Sequence, residues 1–93
     1  MTVESGLNMD PELFREFYDR TAKGLWRFIY QGCGNATASD DILQESYMKF
    51  LRYVDPEREM VEWKAYLYRI AGSAVITYFR RNRIHGDEVT EVP

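Results

Sequence analysis

The sequence predicts an all-α fold, a small three-helix bundle. Three observations predict it: apolar residues recur every three or four positions in three segments, turn-forming residues separate those segments, and no stretch alternates with the period of a strand. With 93 residues, 45% hydrophobic and 15% aromatic, the chain has room for one domain and enough apolar material for one core. No internal repeat is present.

Helix one is expected to open at Asp10, whose carboxylate can accept from free backbone N–H groups. Pro11 suits the first helical position and Glu12 the positive end of the dipole. Phe14, Phe17, Tyr18, Thr21, Leu25, Phe28 and Ile29 fall on one side, and Gly32-Cys33-Gly34 should end the helix. Gly24 inside it costs about 1 kcal/mol against alanine, which points to a close helix contact or to simple tolerance. Asn35 can cap helix two, which should run to about Tyr53 before the Asp55-Pro56 break. Its expected buried arc is Leu43, Tyr47, Phe50, Leu51 and Val54, and the opposite arc holds Asp41, Gln44, Glu45, Met48 and Arg52. Helix three is expected from about Met60 to Arg83, with Trp63, Leu67, Ile70, Ala71, Ala74, Val75 and Tyr78 inward. Its other side reads Glu62, Tyr66, Arg69, Ser73, Ile76, Thr77 and Arg80, running into Arg81 and Arg83. Residues 1–9 read as a flexible N-terminus, and Gly86 to Pro93 as a polar, acidic tail.

Charge is unevenly distributed. The whole chain carries −3, yet residues 63–85 hold Lys64, Arg69, Arg80, Arg81 and Arg83 with no Asp or Glu, a balance of +5 that leaves −8 elsewhere. Such asymmetry separates a polyanion-facing surface from a protein-facing one, although basic residues near a helix C-terminus also complement its dipole. A single cysteine, Cys33, excludes an internal disulfide. No apolar run approaches the roughly 20 residues that span a bilayer, and Met1 to Met9 lacks the blocks of a secretory signal. A cytoplasmic setting without membrane insertion is the expectation.

Catalytic chemistry has little to work with. His85, the sole histidine, lacks the cysteine, histidine or carboxylate company of a zinc site, and nothing pairs it with Cys33 as a nucleophile. Gly32-Cys33-Gly34 is too short for a phosphate loop. The chain is therefore read as a non-enzyme with no metal and no cofactor, and Asp40, Asp41 and Glu45, carboxylates of the kind that ligate magnesium or form an acid/base pair, are read as a solvated helix face.

Two segments are more specific. Asp40-Asp41-Ile42-Leu43-Gln44-Glu45-Ser46-Tyr47-Met48-Lys49-Phe50 resembles the acidic-Asp-x-x-Gln-Glu-x-aromatic segment of bacterial sigma factors. Trp63-Lys64-Ala65-Tyr66-Leu67-Tyr68-Arg69-Ile70-Ala71, followed by Tyr78-Phe79-Arg80-Arg81, resembles the segment of the extracytoplasmic-function group that ends in a basic run. Both occur in family order, and the resemblance to the second conserved region of these factors covers roughly residues 11–83. It implies a helical domain, residues 10–85, that binds core RNA polymerase through the clamp coiled coil of its largest subunit and engages the single non-template strand of the -10 promoter element.

Carried over by position, the resemblance makes Asp41, Gln44 and Glu45 polymerase contacts, with Met48 an apolar anchor beside them. Their chemistry agrees, since carboxylates pair with arginines and an amide fixes register. The Asp55 to Met60 segment aligns with the loop that captures an unstacked base, where Arg58 stacks or hydrogen-bonds and Tyr53 or Trp63 lines the wall. Glu57 and Glu59 there can accept from base amino groups but repel phosphates. Tyr66, Arg69, Ser73, Thr77, Arg80, Arg81 and Arg83 form the expected DNA-binding side of helix three, with Lys64 a weaker candidate.

Ser73 and Thr77 depart from the family, which commonly places an asparagine and an aspartate there. Their shorter or uncharged side chains leave a second function open: a sigma-like polymerase-binding adaptor or regulator without promoter melting. The resemblance also makes an anti-sigma factor a candidate partner. Sigma factors of this group carry a further helical domain for the -35 element, so residues 86–93 are expected to begin an interdomain linker and the chain to be one domain of a longer protein.

Overall fold

A computed structural model describes residues 8–90, with side chains described to Asn82. Helix α1 spans Pro11–Cys33. Asp10 caps it as expected, its Oδ2 accepting from the backbone N–H groups of Glu12 and Leu13, each at 3.2 Å. The helix ends at Gly34, where φ is +65° and the N–H donates to the Tyr30 carbonyl at 2.7 Å. That left-handed conformation suits a residue without a Cβ. Gly32 serves another purpose, because a Cβ there would stand 2.5 Å from Val75 Cγ1 and α1 could not approach the third helix so closely. Gly24 also sits at a helix contact, with the Tyr68 hydroxyl 3.2 Å from where its Cβ would lie.

Helix α2 spans Ala36–Tyr53. Asn35 is its N-cap, accepting from the Ala38 N–H at 2.8 Å. Helix α3 spans Met60–Thr90, longer than the sequence suggested. It passes through Gly86 because one interior glycine costs only about 1 kcal/mol and no proline intervenes. Residues 86–90, expected to begin a linker, are helical.

Each helix packs on the other two. Phe17, Leu25 and Ile29 of α1, Phe50 of α2, and Leu67 and Ala71 of α3 are fully buried. Phe17 stacks on Phe50 at 5.0 Å and meets Trp63 edge-on at 5.9 Å, each such ring contributing about 2 kcal/mol by burial. The buried arc of α2 is wider than expected. Tyr47, Phe50, Leu51 and Val54 are buried, and Leu43 is partly so. Ile42, Ser39 and Ser46 join them because α2 is covered on two flanks, by α1 and by α3. Tyr18 and Phe28 of α1 stand at the margin, half-exposed yet in ring contact with Tyr47 and Tyr68.

Tyr47 bonds to the Thr21 hydroxyl. Burial pushes its own hydroxyl up to about 12, against the opposing effect of that bond.

The N-terminal segment is anchored at its inner end. Met9 is buried, and Asn8 caps the last carbonyls of α2, its N–H donating to Leu51 and its Nδ2 to Arg52 and Val54 at 2.9–3.1 Å. Asn8 and Met9, placed by sequence in the flexible segment, thus belong to the packed domain. A residue 43 or more positions away supplies what the helix end lacks.

Candidate functional site

The outward arc of α2 brings together the four expected protein-binding residues. Asp41, Gln44 and Glu45 are exposed, and Met48 is 55% exposed. Neither Asp41 nor Glu45 forms an ion pair among the described residues, where Glu16–Arg20, Asp55–Arg58 and Glu62–Arg58 do. Their charge is therefore available to a partner. The arc is divided, however. Asp41 and Glu45 line a groove of about 390 Å³ between α2 and α3, facing Thr77, Tyr78 and Arg81. Gln44 and Met48 do not line that groove.

At the opposite end of the bundle, the loop between α2 and α3 and the first turns of α3 enclose a cleft of about 450 Å³. Tyr53, Arg58, Glu62, Tyr66 and Arg69 line it, with Trp63 behind them. Trp63 is buried, and its Nε1 donates to the Asp55 carbonyl at 3.1 Å, which ties the loop to the core. Tyr53, 62% exposed, and half-buried Tyr66 offer flat surfaces. Arg58 is already engaged: its Nη1 reaches Glu62 Oε1 at 3.1 Å and its Nε reaches Asp55 Oδ2 at 3.3 Å. These bonds, Glu62's first, push its pKa further up and fix the fork of the guanidinium. The cleft thus offers two carboxylates as acceptors and a guanidinium held in place.

From the cleft the site continues along α3. Arg69, Ser73 and Thr77 line a shallow groove with Tyr66, and Arg80 and Arg81 are exposed beyond it. Arg69, Arg80 and Arg81 form no ion pair among the described residues. The side chain of Arg83 lies outside the described residues. Because α3 continues to Thr90, Arg80 and Arg81 sit more than two turns before its end and its last turn holds no basic residue. A dipole effect confined to the last turn cannot explain them. Lys64, the weaker candidate, lies over the Tyr68 ring at 6.0 Å, turned from this stripe.

Sequence reasoning missed Lys49. It projects from α2 into both grooves, beside Glu45 and Arg81 in one and beside Arg69, Ser73 and Thr77 in the other. The signal was present in Ile42: once that residue is placed against α3, Lys49 seven positions on must flank the same helix.

The family model for sigma-70 region 2 matches residues 17–84. The chain belongs to this family. The match takes in most of α1, all of α2 and α3 as far as residue 84. Sigma region 2 domains are non-enzymatic transcription factor domains that bind core RNA polymerase and recognise the -10 promoter element. The three-helix architecture of this chain is that of a sigma region 2 domain. Among curated proteins and among solved structures, no match to this sigma domain is found. No helix of the described residues is long and apolar enough to cross a membrane.

Proposed function

We propose that this sigma region 2 domain is of the extracytoplasmic-function type and divides its work between two helices. Helix α2 docks on the clamp coiled coil of the largest polymerase subunit through Asp41, Gln44, Glu45 and Met48. The α2–α3 loop and α3 hold the non-template strand of the -10 element, through Arg58, Tyr66, Arg69, Ser73, Thr77, Arg80, Arg81 and Arg83. The observation that supports this reading is the placement of charge within the matched family region: among the described residues, Asp41 and Glu45 on α2 and Arg69, Arg80 and Arg81 on α3 form no ion pair.

The chemistry suits each partner. Exposed carboxylates beside an amide and a thioether suit a basic helical surface. An extruded base fits the cleft between Tyr53 and Tyr66, where its exocyclic amino group donates to Glu62 or Asp55 and the phosphates pass to Arg69. Lys49 adds a cation on the far wall of the α3 groove, so the strand passes between positive charges rather than along one edge. The setting is cytoplasmic, and an anti-sigma factor would compete for these same faces.

A second reading has its own observation. Ser73 and Thr77 are exposed in the middle of the α3 groove, where short hydroxyl side chains reach little. It makes the domain a polymerase-binding adaptor that does not open promoters. Binding to an isolated clamp coiled coil, run beside selection from a randomised single-stranded oligonucleotide pool, separates the two. The proposal expects clamp binding and an enriched motif, the adaptor clamp binding with no motif. Failure of both at low salt refutes both.

A further inference from the structure

Three consecutive residues tie the start of α1 to the end of α2. Asp10 caps α1, Met9 is buried in the core, and Asn8 donates to the last carbonyls of α2. Held by these neighbours, Asn8 uses every donor it has. Its backbone N–H reaches the Leu51 carbonyl at 3.1 Å, and the two N–H bonds of Nδ2 reach the carbonyls of Arg52 at 3.1 Å and Val54 at 2.9 Å. A plain cap would stop at the carbonyls that the last turn leaves free. Val54 lies past the end of α2 in extended backbone, with φ −67° and ψ 147°, so the Asn8 amide spans the exit from helix to loop. The two carbonyls it joins flank Tyr53, whose 62%-exposed ring lines the base-sized cleft. The next carbonyl, that of Asp55, accepts from Trp63 Nε1 at 3.1 Å, and the Asp55 carboxylate holds Arg58. Successive residues are thus tied to different elements, Val54 to the segment before α1 and Asp55 to α3.

We infer that Asn8 is a positioning residue for base capture: by clamping the carbonyls of Arg52 and Val54 it fixes the backbone of Tyr53, and with it the stacking wall of the cleft. The inference rests on the proposed capture of an extruded base between Tyr53 and Tyr66. Asn8 stands outside residues 17–84, the span that the sigma-70 region 2 model matches. Its amide has one way to face two carbonyls, because only the nitrogen end donates. Without the clamp, the Trp63 bond still holds Asp55 and the loop stays attached. Tyr53, at the open end of α2, then gains freedom that a bound base has to remove. Immobilising one such side chain on binding lowers affinity by about two- to tenfold. Glu62, Tyr66 and Arg69 sit on α3, which Asn8 does not touch, so the other wall of the cleft and the phosphate contacts keep their places.

The test is the affinity of the whole chain for the oligonucleotide enriched from the randomised pool, and for the same strand made abasic at each position in turn. Wild type, Asn8→Ala and the control Gly32→Ala are compared. In wild type one abasic position is expected to cost about tenfold or more, which marks the captured base. Asn8→Ala should bind the intact strand about three- to tenfold more weakly, yet bind that abasic strand within about twofold of wild type, so the abasic penalty shrinks. Gly32→Ala, strained at the contact with Val75 and not in the loop, should keep the wild-type penalty, which separates positioning from mere loss of stability. If Asn8→Ala keeps the full penalty, or weakens both strands equally, the inference is overturned and base capture stands. If no abasic position matters in wild type, base capture falls and the inference with it. A second readout needs no variant: coupling is reciprocal, so capture must in turn steady the Asn8 bonds. Exchange of the Asn8 side-chain amide protons with water should be slower at saturation with the intact strand than with the abasic one. Equal rates overturn the inference.

Discussion

Two glycines in one helix should respond oppositely to the same substitution. Gly24 and Gly32 both lie within α1, and replacing either by alanine brings up to about 1 kcal/mol of helix propensity. Their neighbours differ. At Gly24 the new Cβ lies 3.2 Å from the Tyr68 hydroxyl, the far end of a side chain that can swing by the few tenths of an ångström required. At Gly32 it lies 2.5 Å from Val75 Cγ1, about 1 Å inside ordinary carbon–carbon contact. Val75 is β-branched and has essentially one χ1 rotamer in a helix, so relief requires α1 and α3 to part. Overpacking of this kind costs about 1–3 kcal/mol. Gly24→Ala should therefore be neutral or stabilising by up to about 1 kcal/mol, and Gly32→Ala destabilising by about 1 kcal/mol, a midpoint shift of roughly 4–8 °C in a domain this small. Urea unfolding followed by helical circular dichroism measures both. In a Val75→Ala background the cost at Gly32 should largely vanish. Equal stabilisation by the two alanines would show that α1 and α3 do not approach as described.

Other consequences are as direct. Asn8→Ala removes three hydrogen-bonded caps from the end of α2 only in part, keeping the backbone bond to Leu51, and should cost about 1–2 kcal/mol in urea unfolding. Because the folded pKa of Tyr47 is raised from 10.0 to about 12, the unfolded chain loses this proton first as pH rises. Its contribution is complete below about pH 10 and disappears through pH 12, a loss of up to about 2 kcal/mol that Tyr47→Phe should not show in alkaline unfolding. Lys49→Ala should reduce the salt dependence of single-strand binding by about 0.7 in the logarithmic slope, the signature of one lost phosphate contact. An unchanged slope would remove Lys49 from the DNA groove.

The parts of this fold legible in the sequence are those set by neighbouring residues. Asp10, Gly34 and Asn35 act within three or four positions of themselves, so their capping could be read directly. The inward sides of α1 and α3 were legible for a related reason, since one periodic stripe meets one core. What the sequence hid depends on how the helices rotate against each other. Burial of Ile42, Ser39 and Ser46 follows from α2 having two flanks covered, which a single arc cannot anticipate. The same geometry places Lys49 in the α3 groove and Trp26 against Asp40. Asn8 is an extreme case, because its role depends on the end of a helix far along the chain. The candidate site divides in the same way. Exposure of Asp41, Gln44, Glu45 and Met48 matched the expected arc, whereas the separation of Asp41 and Glu45 from Gln44 and Met48 needed α3 in place. Arg58 was read as a contributor to base capture, and its prior engagement with Asp55 and Glu62 became visible only once the loop met the first turn of α3.

The proposed division of labour gives one small bundle two separable faces, acidic α2 for polymerase and basic α3 for the strand. Its most direct test is a paired titration of Glu45→Arg and Arg80→Ala against the clamp coiled coil and against a selected single-stranded oligonucleotide. Glu45→Arg should weaken clamp binding while leaving oligonucleotide affinity nearly unchanged, and Arg80→Ala should do the reverse; equal losses of both activities in both variants would contradict it.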